Sequence, residues 1–519
     1  MLGFDGPLIV HVGQCGIQLG SAMWRQLARL DEMLYNNEVP PTPRAILVDT
    51  EPKPMAVMRH DARVKQGLLF RDQLCVTDRT ARGRGGSWAM GYADDSSEFL
   101  EQIENTLRRE IECDPVWELG WHASHRYSDR SVDVIIVHSL AGGTGSGLGS
   151  KVMEMTRGQL GRQGLLAAVS IVADPVGGSP MRSINEILAL QRIEQTCDLG
   201  ILVENGCFQA PSMKALNTEI AAALIDVMQT KSGLSLDDFQ CVVCPMPTLK
   251  FAHIYAAKAL EDLRMHIPPT RSQNSLIAAR AVVGSAVEGS ITEKIASCLG
   301  GRVSWNGPYN VDLRRRLPSP TLGDNSRRVS LAVNWTYTAS MVSELQRDAT
   351  EKIRHGAFMH HYNVYGVDEE TVFGAAQDVH DTINNVNALL EQCFHDAEEG
   401  ATLIANHLGP VELGIAARLV QGLGYSRKKI NLAVGCWWTE SFKAEELVLH
   451  PYDMGHIHVT NSHDLVAMSY KINEATADRP SDTDGEKLFL GSGSEAHILD
   501  SSDPAVELVG CSVATSHGR

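Results

Sequence analysis

Residues Ala141 to Gly147 read AGGTGSG, with Gly142, Gly143, Gly145 and Gly147 set around the hydroxyls of Thr144 and Ser146. Glycines remove the side chains that would keep backbone N–H groups away from an anion. A helix opening near Gly147 would add the positive end of its dipole. A tight strand-to-helix turn with no ligand is the plainer alternative, and the two hydroxyls favour a phosphate cradle. The loop is not a Walker A sequence, because no Gly-Lys-Ser/Thr follows, and GxGxxG fits at no register. It contains no lysine. A phosphate held there must rely on backbone dipoles, hydroxyls and a cation. Asp49 and Glu51 are the carboxylates placed to meet Mg2+, through water, because Mg2+ keeps much of its hydration shell. Read otherwise, they are surface carboxylates at a strand end.

Positioning these groups falls to a strand–helix alternation. Leu8–Val12, Ala45–Val48, Val132–Val137, Leu165–Val172 and Leu199–Val203 are short apolar runs of strand character. Between them lie helical patterns at Gly16–Leu30, Ser96–Glu112 and Ser183–Gln195. In the second, Phe99, Ile103, Leu107 and Ile111 recur every four residues. Alternation of this kind predicts an α/β fold with a parallel sheet covered on both faces. Ligands of such sheets sit beyond the carboxyl ends of the strands. Gly13–Gly16, Asp49–Pro52 and Ser139–Gly147 each follow a strand, so three separated loops converge on one edge.

The chain has 519 residues, enough for two or three domains. A net charge of −17 argues against a general nucleic-acid partner. The longest apolar run, Leu165–Ala173, is about half the ~20 residues of a spanning helix, and the opening residues lack a signal-peptide pattern. Neither membrane nor secretion is expected. The 11 scattered cysteines suggest free thiols in a reducing compartment, hence the cytoplasm. Cys241 and Cys244 form a lone CxxC with no second pair, which favours core cysteines over zinc. Past Pro245 the pattern shifts to shorter strands and longer helices. Cys393–Leu408 reads as a hinge, and the composition of Ala475–Arg519 suggests partial disorder.

The loops resemble those of the tubulin superfamily. The segments that carry the likeness are Val12–Gly20 (VGQCGIQLG), Ala45–Pro52 (AILVDTEP), Gly83–Tyr92 (GRGGSWAMGY) and His138–Gly149 (HSLAGGTGSGLG). Glu204-Asn205, Leu216-Asn217, Pro245-Met246-Pro247 and His360–Glu370 (HHYNVYGVDEE) extend it, so that the pattern covers about Leu8 to Leu390. Within the superfamily, GSWAMGY and SLAGGTGSGLGS lean toward the delta or zeta type.

The resemblance implies a parallel-sheet GTP-binding domain over 1–230, an α+β intermediate domain over 231–350, a helical C-terminal hairpin over 351–395 and an extension over 396–519. It implies GTP or GDP with Mg2+. Gln14 and Cys15 would touch phosphate and ribose, and Gln18 the base. Ser139, Ala141, Gly142, Gly143, Thr144, Gly145, Ser146 and Gly147 would hold the phosphates. Asn205 and Asn217 would read guanine, since an amide can donate to its carbonyl and accept from its ring N–H; on residue type alone they are equally capping or turn residues. Asp238, in the segment SLDDFQ, would orient water against the nucleotide of a neighbouring subunit, or else cap a helix beside Asp237. Implied partners are alpha/beta-tubulin or other tubulin-like subunits through longitudinal contacts, and centriolar or basal-body proteins. The implied location is cytoplasm and cytoskeleton, at the centriole or basal body.

Four positions depart from the family pattern. Gly86 and Ser87 stand where paired asparagines are usual, with Arg84 beside them as a charged donor that could compensate. Met213 replaces the aromatic that stacks on guanine, and Asp238 is shorter than glutamate by a methylene. These changes fit nucleotide binding with slow or absent turnover. They leave open a scaffold whose pocket has decayed. A nucleotide-dependent enzyme such as a dehydrogenase is countered by the missing GxGxxG.

Overall fold

The computed structural model describes residues 6–28, 33–35, 40–93, 97–112, 132–161, 164–174, 179–231, 233–244, 250–268, 276–287, 291–299, 311–317 and 327–381, and strand segments between 403 and 516. Pro245–Pro247, most of Cys393–Leu408 and the end of the expected hairpin at 382–395 lie outside the described residues.

The strands run β1 (Leu8–Val12), β2 (Ala45–Asp49), β3 (Cys75–Thr77), β4 (Val134–Ser139), β5 (Leu166–Val172), β6 (Leu199–Glu204), β7 (Phe251–Ala257), β8 (Leu276–Val283), β9 (Val311–Arg315) and β10 (Val329–Trp335). They form one sheet in the order β9-β8-β10-β7-β6-β5-β4-β1-β2-β3. From β3 through β7 every pairing is parallel. β10 alone runs antiparallel, between β7 and β8. β1, β2, β5 and β7 are buried along their whole length, which is why they read as continuous apolar runs rather than alternating ones.

Period two is still present beneath that uniform burial. Leu8, Val10 and Val12 face one layer with Phe99, Ile103, Leu107 and Ile187. Ile9 faces the other, with Ile17, Trp24, Ile220 and Leu224. The first layer is built from α4 (Ser97–Glu112), α5 (Gly149–Leu160), α6 (Arg182–Thr196) and α10 (Tyr337–Arg354). The second is built from α1 (Gly13–Leu27), α2 (Pro52–Asp61), α7 (Met213–Met228) and α8 (Leu236–Val243). The remaining helices are α3 (Trp88–Tyr92), α9 (Ile291–Cys298), α11 (His360–Asn363) and helical residues 369–381.

The expected elements agree with the observed ones except at their ends. α1 begins at Gly13 rather than Gly16, because Gly13 takes φ +72 and turns the chain from strand into helix with no intervening loop. The residues expected to divide into nucleotide-binding and intermediate domains share the one sheet. They lie in one compact unit comprising Met1–Cys244, Lys250–Arg302 and Val311–Asn384. In the second unit, Phe442–Glu446, Ser512–Ser516, Leu465–Tyr470 and Ile457–Ser462 form a four-stranded antiparallel sheet in that order. Lys487–Leu490 pairs with His497–Asp500, and Leu403–Ala405 lies parallel to Leu432–Val434. Among the described residues no helix is long and apolar enough to cross a membrane.

Candidate functional site

The carboxyl ends of β1, β2, β4 and β6 bring together the loops singled out above. After Ser139 the chain makes a turn of π type over Gly143–Leu148 and continues directly into α5. The first N–H groups of such a run have no acceptor inside it. Ala141, Gly142 and Thr144 are half-buried, whereas Gly143, Gly145, Ser146 and Gly147 are buried.

The glycines play two different parts. A Cβ on Gly143 would lie 2.3 Å from the Arg84 carbonyl, one on Gly147 2.1 Å from the Trp88 carbonyl, and one on Gly145 3.0 Å from the Ser139 nitrogen. These three admit neighbouring backbone of the same chain. Only Gly142 would point a Cβ into open space, so close approach by a ligand is left to that position. Ser146 is also internal, since its hydroxyl donates to the Gly142 carbonyl. Thr144 Oγ1 lies 3.1 Å from Thr50 Oγ1 and ties the cradle to the end of β2. Ser139 Oγ accepts from the Ala141 N–H at 3.3 Å. Beneath the turn, buried His138 donates Nδ1–H to the Gly145 carbonyl (2.9 Å) and accepts from Ser170 at Nε2 (2.7 Å). Burial lowers this histidine to about 4, so it is neutral at physiological pH.

The segment Gly83–Tyr92, third of the four resembling segments in chain order and called the third loop below, is packed against the cradle. Gly85 and Gly86 take φ +54 and +69, a region costly for other residues. Arg84 does not offer the charge expected of it. It is buried, and its Nη2 meets Asp78 Oδ2 at 2.9 Å. Burial alone would raise the Asp78 carboxyl, but hydrogen bonds from Thr80 and Arg84 hold it below its usual value. Ser87 is buried with an unpartnered hydroxyl.

Asp49 is 2% exposed. Its Oδ1 accepts from the Glu51 N–H at 3.2 Å, and its Oδ2 has no partner among the described residues. Burial, with the Glu51 charge adding to it, pushes the carboxyl up to about 6. Glu51 is exposed, with its carboxylate against Gly83, where a Cβ would meet Oε1 at 2.6 Å. Gln14 and Gln18 are exposed on α1, one turn apart, and Cys15 is half-buried between them. Asn205 opens a short 3-10 turn directly after β6. Asn217 lies in the second turn of α7, whose cap is Ser212, accepting from the Ala215 N–H at 3.2 Å. Neither amide makes a side-chain hydrogen bond among the described residues, so capping is not what they do. Met213 is 59% exposed at the start of α7.

Asp238 lies elsewhere. α7 leaves the cradle edge and runs back beneath the sheet for 16 residues, roughly 24 Å at 1.5 Å per residue, before α8 begins. Asp133, which precedes β4 just as the cradle follows it, is raised first by burial and then by the charges of Asp237 and Asp198. The Asp237-Asp238 pair is therefore at the opposite edge of the sheet. Asp238 Oδ1 and Oδ2 accept from Arg314 at 3.0 and 2.9 Å, and buried Arg280 lies 2.9 Å from Oδ2. Burial would raise this carboxyl, yet the two guanidiniums hold it below the usual range.

One residue absent from the sequence reading joins the loops. Asn185, fully buried in the first turn of α6, bonds both the third loop and the cradle. Its signal was an uncharged amide inside the apolar run SINEILAL.

Residues 8–118 and 123–210 match the family Tubulin/FtsZ family, GTPase domain. The matched residues make up less than half of the chain, and what they show is likeness to that GTPase domain. The chain is also similar to a tubulin beta chain of Aspergillus fumigatus, 23% identical over 453 residues, covering 75% of this chain and 96% of the relative. A tubulin beta-1 chain of Hypocrea rufa is 24% identical over 457 residues, with 75% and 96% covered. The likeness to tubulins thus extends beyond the GTPase domain.

Two predictions follow from this geometry. Gly147→Ala should cost about 2–4 kcal/mol of stability, since its Cβ meets backbone, whereas Gly142→Ala should fold normally and weaken nucleotide binding; urea titrations and nucleotide retention measure both. Asp49 carries a raised folded-state value, so in nucleotide-free protein its stabilising effect is present below about pH 4 and lost as pH rises through about 6. Asp49→Asn should therefore be the more stable protein at pH 7.5, by on the order of 2 kcal/mol, and equal to wild type near pH 4. Parallel melting curves across that range would refute the assignment.

Proposed function

We propose that the chain is a GTP-binding, tubulin-like cytoskeletal protein whose nucleotide lies across the edge formed by β1, β2, β4 and β6. The observation that carries this reading is the convergence there of a lysine-free cradle, an unpartnered buried carboxylate oxygen and four uncommitted amides. The phosphates rest on the open side of Gly142 and Thr144, and Asn205 and Asn217 read the guanine edge. Asp49, with Glu51 beside it, would hold Mg2+; the orphan Oδ2 and the absence of a lysine suit a cation at that point. When bound, the ion neutralises phosphate charge. Relatives named tubulin support self-type or alpha/beta-tubulin partners. The sequence GSWAMGY supports a delta or zeta type acting at centrioles or basal bodies in triplet assembly or ciliogenesis.

Hydrolysis, in this reading, needs a second subunit. The distance imposed by α7 keeps Asp238 from its own nucleotide and presents it to that of a longitudinal neighbour. Binding without turnover is the second reading, favoured by the two arginines that hold both Asp238 oxygens.

Denaturing the purified protein and separating what it releases decides the first point. GTP or GDP is expected; NAD, ATP or nothing would overturn the proposal. For hydrolysis, Asp238→Asn assayed with alpha/beta-tubulin should lower the rate by roughly 10²-fold. An unchanged rate would sink the role in trans and leave the binding-only reading.

A further inference from the structure

The Asn185 amide has all its hydrogen-bonding capacity in use. Nδ2 donates to the Gly86 carbonyl at 2.7 Å and to the Ala141 carbonyl at 2.7 Å. Oδ1 accepts from the Trp88 N–H at 2.8 Å and from the Tyr362 hydroxyl at 2.6 Å. Two carbonyls on one side and an N–H on the other fix which atom is nitrogen. Two of the four partners belong to the third loop, one to the phosphate cradle and one to α11, so three segments far apart in sequence meet on a single side chain. Asn185 is itself 0% exposed and cannot reach a ligand.

We propose that Asn185 is a positioning residue for the nucleotide phosphates, and that the Tyr362 hydroxyl completes it, so that α11 contributes to nucleotide retention without touching the nucleotide. This rests on the reading that the phosphates lie on the Ala141–Thr144 cradle. The physical argument is one of pinning. Gly86 and Ala141 flank a loop pair whose glycines allow backbone freedom, and the amide fixes the spacing between their carbonyls. Tyr362 supplies the fourth bond. Without it Oδ1 keeps one lone pair unmatched in a dry site, and the amide is free to rotate away from both loops. Tyr362 has no comparable alternative among the described residues, where its only other acceptor is the Met181 carbonyl at 3.5 Å.

The test uses the full chain, a fluorescent GDP analogue and amide hydrogen exchange. Tyr362→Phe removes one hydroxyl and leaves the packing of the ring. It should release the analogue about five to ten times faster than wild type, and peptides covering 84–92 and 139–148 should exchange faster while β6 does not. Asn185→Ala should lose the analogue to a greater degree; if it does not fold, Tyr362→Phe still decides. Unchanged exchange in both loops, or equal acceleration in β6 and the loops, would overturn the proposal. Should wild type hold no analogue at all, the nucleotide reading fails, and the exchange result still judges the pinning of the loops by Tyr362.

Discussion

The closest backbone approach near the cradle is between the turn over Gly143–Leu148 and the third loop with α3. Gly91 would place a Cβ 2.3 Å from the Gly143 carbonyl, and Gly143 and Gly147 sit as tightly against Arg84 and Trp88. At that separation no side chain can intervene on either strand of the contact. Much else follows from it. Trp88 is driven into the interior, where its indole N–H finds Ser150 at 3.1 Å and its ring stacks on Tyr92 at 4.3 Å. Arg84 is carried inward with it and must find a carboxylate there, which Asp78 supplies. The glycine-rich segment is therefore first a packing surface, and only the side at Gly142 that the packing leaves open is accessible to a ligand.

Charge around the edge is arranged by subtraction. Lysine is missing from the cradle, Arg84 is neutralised internally by Asp78, and His138 is held neutral by burial. What remains is a buried carboxylate with one unmet oxygen. An anionic ligand arriving alone would meet repulsion from Asp49; arriving with a divalent cation it would meet the partner that the oxygen lacks. In the proposed reading, affinity and cation are coupled through Asp49.

Much of this was legible in the sequence because it is local. Apolar runs of four to six residues marked β1, β2 and β4, the first two closed by glycine and aspartate, and the four-residue repeat from Phe99 marked α4. The convergence of loops followed from the parallel topology alone. What escaped depends on distant pairing. Nothing near Arg84 in the chain tells that it faces inward, since that is decided by Gly143 some sixty residues later. Nothing beside Asn185 in the chain marks what it joins, because its worth comes from Gly86, Ala141 and Tyr362. Asp238 reads as a water-orienting acid or a helix cap, and its clamping is invisible because its two arginines lie on β8 and β9, beyond a stretch with no motif.

The run of α7 through the body of the domain has a further consequence. Its two ends sit at unlike surfaces: one presents amides and a cradle, the other an acid clamped by arginines. Two copies meeting through those surfaces would use different patches on each side, a heterologous contact that leaves both patches bare at the ends of the pair. Such a contact cannot close on itself by a two-fold axis. A row built this way has a direction, and its two tips differ chemically: one tip bares the glycine-rich edge with its amides, the other a carboxylate clamped by arginines.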